Sequence, residues 1–174
     1  YTYIDDNNNI WLCTAHNQYL FNIDTQRLIP LINTNKYTIN DIVQINGNTY
    51  YIGTDKGVYE AKLVNNSLLK VRHKKLDSLS VQVNKLYYQK EKRKLFIGSF
   101  KKGIYVFDSS KQTLQLVQTD LNDISINCIK ELNKNEILIA TDGAGVYKMN
   151  TDNYLSSPYI VADYNIHNGM NGNN

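Results

Sequence analysis

The stretch LFIGSFKKGIYVFD, Leu95 to Asp108, decides the fold because the chain repeats it. YYIGTDKGVYEAK runs from Tyr50 to Lys62, ILIATDGAGVYKMN from Ile137 to Asn150, and a looser copy, IWLCTAHNQYLFNID, from Ile10 to Asp24. Aligned on their hydroxyl residues, Thr14, Thr54, Ser99 and Thr141 stand 40, 45 and 42 residues apart. A period of that size marks a repeat architecture, in which one supersecondary unit recurs.

Working outward from the hydroxyl, the columns have physical meaning. Trp11, Tyr51, Phe96 and Leu138 are followed by Leu12, Ile52, Ile97 and Ile139, then by Cys13, Gly53, Gly98 and Ala140. Consecutive bulky residues point to opposite faces of a strand, which predicts burial of both faces. The small column predicts close approach of a neighbouring backbone. The hydroxyl is expected to end the strand by bonding the turn backbone. Gly57, Gly103 and Gly145 then supply the positive φ of a tight hairpin, with Gln18 standing in that column in the first copy.

A further strand precedes each pair, at Ile39–Ile42, Val83–Leu86 and Ile126–Ile129, and a weaker one follows, at Arg27–Ile32, Leu68–Arg72, Thr113–Val117 and Pro158–Ala162. Turns intervene too often for helices. Four antiparallel strands per period describe a β-propeller blade, so the expected fold class is all-β: a propeller fragment of about four four-stranded antiparallel blades. The expected blades are 1–36, 37–78, 79–121 and 122–166, with 167–174 a linker toward a next blade.

Composition agrees. Fourteen Tyr and a surplus of Asn with only two Pro suit strands and turns. Hydrophobic residues make up 42% of the chain and charged ones 20%, values of a folded domain rather than a disordered segment. A net charge of +3 is too weak to argue for nucleic acid, and no apolar run is long enough to insert in a bilayer. The chain starts on a strand without an initiating Met or leader, so a piece of a longer protein is expected. Cys13 and Cys128 lack zinc spacing and read as buried, unpaired thiols.

The columns YYIGT, LFIGS and ILIAT, each followed by GVY or GIY, resemble the repeats of the two-component regulator propeller, written around W-I-G-T and then G-L. IWLCT keeps the Trp and Thr but has Cys13 for the Gly. The resemblance implies the periplasmic sensor region of a bacterial hybrid two-component regulator, the extracytoplasmic part of an inner-membrane protein. Such regions detect oligosaccharides and control polysaccharide-utilisation genes. It also implies a ring of roughly seven blades, so four blades would form an open arc, or a homodimer covering the terminal blades. No Trp-Asp blade ending, Gly-Gly kelch pair or sialidase box points to another propeller family.

Propeller topology puts the turns between second and third strands on one face with the blade-to-blade linkers. The ligand-binding candidates are therefore His16, Asn17, Asn40, Asp55, Lys56, Asn84, Phe100, Lys101, Asn127 and Asp142. Amides and carboxylates bond sugar hydroxyls, and planar side chains take ring faces. Singly, most have a plainer reading. Asn40, Asn84 and Asn127 read as bonding their own turn backbone, and Asp55 and Asp142 as turn formers. Trp11 and the Tyr59, Tyr105, Tyr147 column read as packing. Phe100 is the exception, an aromatic where the other copies have Asp or Ala.

The basic runs Gln89–Lys94 and Lys70–Lys75 read as solvated turns and edge protection, without the aromatic platform that nucleic acid requires. No G-x-S-x-G, H-E-x-x-H or phosphate loop appears among the three histidines and scattered carboxylates, so neither an enzyme nor a cofactor is expected. The alternative to a sensor is a propeller serving as a structural or protein-interaction scaffold.

Overall fold

The structure, a computed structural model, describes residues 1–15, 17–31, 37–65, 67–71, 76–117, 120–154, 160–167 and 169. It contains four four-stranded antiparallel sheets and, among the described residues, one short 3-10 turn at Leu76–Ser78 and no α-helix. The chain divides into two compact units, Tyr1–Val83 and Asn84–Asn174.

In the first unit, one sheet orders β1 (Thr2–Ile4), β2 (Asn9–Cys13), β3 (Gln18–Asn22) and β4 (Arg27–Pro30). The next orders β5 (Ile39–Asn46), β6 (Thr49–Thr54), β7 (Gly57–Val64) and β8 (Ser67–Val71). One face of the first sheet, with Tyr3, Trp11, Cys13, Leu20 and Ile29, packs on Ile42, Tyr50, Ile52 and Ala61 of the second. The other face is different. Registers Ile4↔Ile10↔Phe21↔Leu28 and Leu12↔Tyr19↔Pro30 align a band of apolar side chains across four strands. Ile4 is 62% and Leu28 57% exposed, and Ile10, Leu12, Tyr19 and Phe21 are half-buried. The expectation of burial on both faces fails here, because nothing described seats on this side.

A carboxylate anchors the packed face. Asp5, buried, accepts hydrogen bonds from Trp11 Nε1 at 3.0 Å and Tyr50 Oη at 2.8 Å, and from the Asn7 and Asn9 backbone N–H groups at 2.9 Å each. The Tyr50 ring meets the Trp11 ring edge-on at 4.8 Å. One group in the turn between β1 and β2 thus satisfies the polar ends of two buried aromatics from different sheets.

The second unit begins one residue into β9 (Val83–Gln89), which forms one sheet with β10 (Lys94–Ser99), β11 (Ile104–Asp108) and β12 (Thr113–Leu116). The other comprises β13 (Ile126–Asn133), β14 (Glu136–Thr141), β15 (Val146–Asn150) and β16 (Ile160–Tyr164). Their shared core gathers Phe96, Val106 and Val117 with Ile129, Ile137, Ile139 and Met149. The last strand ends at Tyr164, two residues past the expected Pro158–Ala162, whose first two residues are outside the described ones.

The repeat columns acquire their causes. Each hydroxyl donates to a carbonyl across its turn: Thr14 to Asn17 at 2.8 Å, Thr54 to Gly57 at 2.9 Å, Ser99 to Gly103 and Thr141 to Gly145 at 2.7 Å. Gly57 and Gly145 have φ of +126° and +90°, and a Cβ on either would sit 2.3 Å from the carbonyl oxygen of Leu79 or Tyr164 in the strand or segment leaving the same sheet. At Gly98 the small column has a different reason from the expected one. A Cβ on Gly98 would strike the Ile126 side chain at 2.6 Å, not a backbone.

Two further readings need correction. Cys13 is buried, but Cys128 is only half-buried; both thiols are free. The run Gln89–Lys94 is not merely a solvated turn. Lys92 Nζ lies 2.9 Å from both Asn135 Oδ1 and Thr151 Oγ1 and 2.7 Å from the Asp152 carboxylate. Lys94 Nζ donates to Thr151 O at 2.9 Å and stands 4.7 Å over the Tyr154 ring. Burial lowers the Lys94 pKa below the usual lysine value. Of Lys70–Lys75, residues 72–75 are outside the described ones.

Candidate functional site

In the second, third and fourth sheets the candidate turns after the second strand meet a segment leading into a first strand. In the first unit, Asp55 N donates to Thr38 O at 3.1 Å, and Thr38 N donates to Asp55 Oδ1 at 3.0 Å. The Asp55 carboxylate is therefore engaged in clamping the segment before β5. Lys56 Nζ lies 5.8 Å from the centroid of Tyr37, whose ring packs at 4.7 Å on Tyr59. Lys70 Nζ covers Tyr59 at 4.2 Å and pairs with Asp77 at 2.7 Å. Burial and the neighbouring Tyr37 hydroxyl push the Tyr59 pKa up. Tyr59 serves packing, as its column predicts, against a partner the repeat did not reveal.

Asn40 is corrected. Its Nδ2 donates at 2.8 Å to the carbonyl of Val83, the last residue of the first unit, rather than to its own turn. Asn17 is exposed and closes its turn through backbone contacts with Thr14. His16 lies outside the described residues.

In the second unit, Ser125 organises the candidates. It is buried and immediately precedes β13. Its Oγ accepts from Lys101 N at 3.2 Å, and its carbonyl accepts from Asp142 N at 2.9 Å. One residue thus brings together the turns after β10 and after β14. Asn127, exposed, follows two residues on, and Asn84 is half-buried at the start of β9. Phe100 is 43% exposed, with Lys101 Nζ 5.4 Å from its ring centroid. The sequence reading missed Ser125 and its counterpart Thr38, although both are hydroxyl residues standing one before the repeated Ile-Asn of the inner strand.

Among the described residues, no three His, Cys, Asp or Glu side chains gather as a metal ion would require. The turns anchored on Ser125 carry an aromatic residue and a lysine, Phe100 and Lys101, in one blade and a carboxylate, Asp142, in the next.

No family model matches the chain, and no curated protein matches it. Solved structures do. The β-propeller domain of Cps50 (Swd1) from Myceliophteria thermophila aligns at a TM-score of 0.66 and 15% identity, over 90% of this chain and 55% of that one. Likeness at that identity establishes the fold, and the four sheets are β-propeller blades. The extracellular domain of BT4673 from B. thetaiotaomicron, assigned to a hybrid two component system, aligns at 0.74 and 17% identity, over 98% of this chain and 23% of that one. The extracellular domain of BT3049 from the same organism, assigned likewise, aligns at 0.62 and 19% identity, over 92% and 23%. The chain spans 23% of the length of each of these two extracellular domains. Among the described residues no helix is long and apolar enough to cross a membrane.

Proposed function

We propose that the chain is a ligand-sensing part of the extracytoplasmic propeller of a two-component regulator, detecting an oligosaccharide in the periplasm and controlling polysaccharide-utilisation genes. The observation that carries the reading is Phe100, an exposed aromatic in a turn position held by Asp in the second and fourth blades, displayed beside Lys101 in a turn that shares its Ser125 anchor with the turn of Asp142. Likeness to extracellular domains assigned to hybrid two component systems supports it. The reading assigns binding and no catalysis to the chain, with His16, Asn17, Asn40, Asp55, Lys56 and Asn84 as outlying contacts. Blades fall at 1–36, 37–78, 79–121 and 122–166.

Further blades of a longer protein are the natural partners for the uncovered face around Ile4 and Leu28. The second blade presents the equivalent strand positions, including Ile42, Tyr50 and Ile52, to the Trp11 face of the first. A preceding blade would cover Ile4 and Leu28 in the same way, and homodimerisation is the other means of covering them.

Calorimetric titration against a panel of oligosaccharides, with Phe100→Asp as the control, tests the reading. Saturable binding weakened by the substitution supports it. If no sugar binds and Phe100→Asp instead abolishes association with another protein chain, the scaffold reading takes its place.

A further inference from the structure

We propose that Phe100 and Lys101 select an acidic sugar: the Phe100 ring takes one face of a pyranose and the Lys101 ammonium pairs with its carboxylate or sulfate. The proposal rests on the oligosaccharide reading above and narrows it.

The third and fourth blades build the same turn frame. Ser99 and Thr141 each donate from N at 3.0 Å and from the hydroxyl at 2.7 Å to the carbonyls of Gly103 and Gly145. Within that frame the fourth blade carries Asp142 and Gly143, and Gly143 has φ of +83° with nothing within 4 Å of an added Cβ. The third blade carries Phe100 and Lys101 instead, with Lys101 at φ of +51°. A left-handed lysine is disfavoured by its Cβ, and a turn Phe is left in water. Both substitutions run against local preference.

The frame itself does not call for either side chain. Lys101 contacts Ser125 through its backbone N–H, which almost any residue supplies, and the Phe100 ring is not packed into the core. Gln26, Arg93 and Gln112 are left-handed in other turns as well, so what sets this turn apart is the exposed aromatic beside its lysine. What it displays is one aromatic face with a cation 5.4 Å from its centroid, and Lys102, exposed, beside it. Asn127 and Asp142 suffice for the hydroxyls of a neutral sugar. Two adjacent ammonium groups add a charge that only an anionic substituent uses.

The test titrates the chain, in parallel, with an oligogalacturonate, a neutral galacto-oligosaccharide of equal length and vesicles containing anionic lipid, then repeats the series with Lys101→Gly and Phe100→Asp. The expected result is a preference for the acidic sugar on the order of tenfold, diminishing as salt is raised. Lys101→Gly erases the preference while leaving the melting temperature equal or higher, and Phe100→Asp weakens both sugars. Equal affinity for the two sugars, or a preference that survives Lys101→Gly, overturns the selection of acidic sugars and leaves the oligosaccharide reading standing. Failure of every sugar to bind overturns both, and saturable binding of vesicles alone overturns the sugar in favour of an anionic surface.

Discussion

Gly143 and Gly145 lie two residues apart in one turn, and the same substitution should affect them differently. Gly143 is left-handed but has open space around a Cβ, so Gly143→Ala should cost ~1 kcal/mol. Gly145→Ala adds a collision with the Tyr164 carbonyl and should cost ~3 kcal/mol, measured by chemical denaturation. Equal costs would show that left-handed strain alone, and not the approach of the outgoing backbone, explains the glycine column. Asp5 makes a second prediction. Burial would raise its pKa, but donors from Asn9, Trp11 and Tyr50 outweigh it and hold the carboxyl below the ordinary value. With its folded value depressed, Asp5 stabilises fully above about pH 4 and loses that contribution as pH falls through the folded value. Asp5→Asn should flatten this acid limb in pH-dependent unfolding, and Asp5→Ala should cost about 3 kcal/mol at neutral pH by leaving buried donors unpaired. Cysteine reactivity gives a third: burial pushes the Cys13 thiol up to about 11, so iodoacetamide should modify half-buried Cys128 first. Asp5 was invisible in the sequence because it stands in no repeated column and its partners come from two sheets. The hydroxyl column was legible, since it acts within its own turn.

At the scale of elements, the four strands per period followed from spacing and alternation, whereas the stitching between sheets did not. The Ile42 and Gln44 amides of β5 donate to the hydroxyls of Tyr1 and Tyr3 at 3.2 and 3.1 Å. Tyr87, on β9, donates to the Glu131 carboxylate of β13 at 2.6 Å. Tyr and Asn abundance, read as strand and turn preference, therefore also reflects side chains that satisfy a neighbouring first strand. The basic run Gln89–Lys94 was misread for a related reason: a charge run shows its sign in sequence but not its partner. Lys94→Ala should destabilise by about 1–2 kcal/mol by removing the bond to Thr151 and the cover over Tyr154, whereas exposed Lys111→Ala should stay within about 0.5 kcal/mol. Thermal unfolding of the two variants side by side checks the difference.

For the whole molecule, the uncovered face is the feature with the widest effect. A band running from Ile4 through Ile10 and Phe21 to Leu28 is the kind of patch that soluble proteins bury against a partner. The chain on its own should therefore self-associate with rising concentration in sedimentation velocity, and Ile4→Lys with Leu28→Glu should return it to a single slow species. An unchanged profile would mean that the band is not sticky enough to recruit a blade. Propeller class was legible in the sequence because each repeat carries the same local instructions. The proposed binding turn was legible only as the anomaly at Phe100, because a departure from the repeat has no period to announce it.

The Ser99 and Thr141 locks hold their turns alike while the three residues inside, Phe-Lys-Lys against Asp-Gly-Ala, differ completely. Such a turn is a socket: the frame is constant and the insert exchangeable. A protein made of these units could acquire a new preference by altering two adjacent codons, without refolding anything, and could carry different inserts in different blades. Under the proposed role of Phe100 and Lys101, transplanting Phe-Lys into the Asp142-Gly143 socket would relocate recognition by one blade and leave the scaffold indifferent to the move.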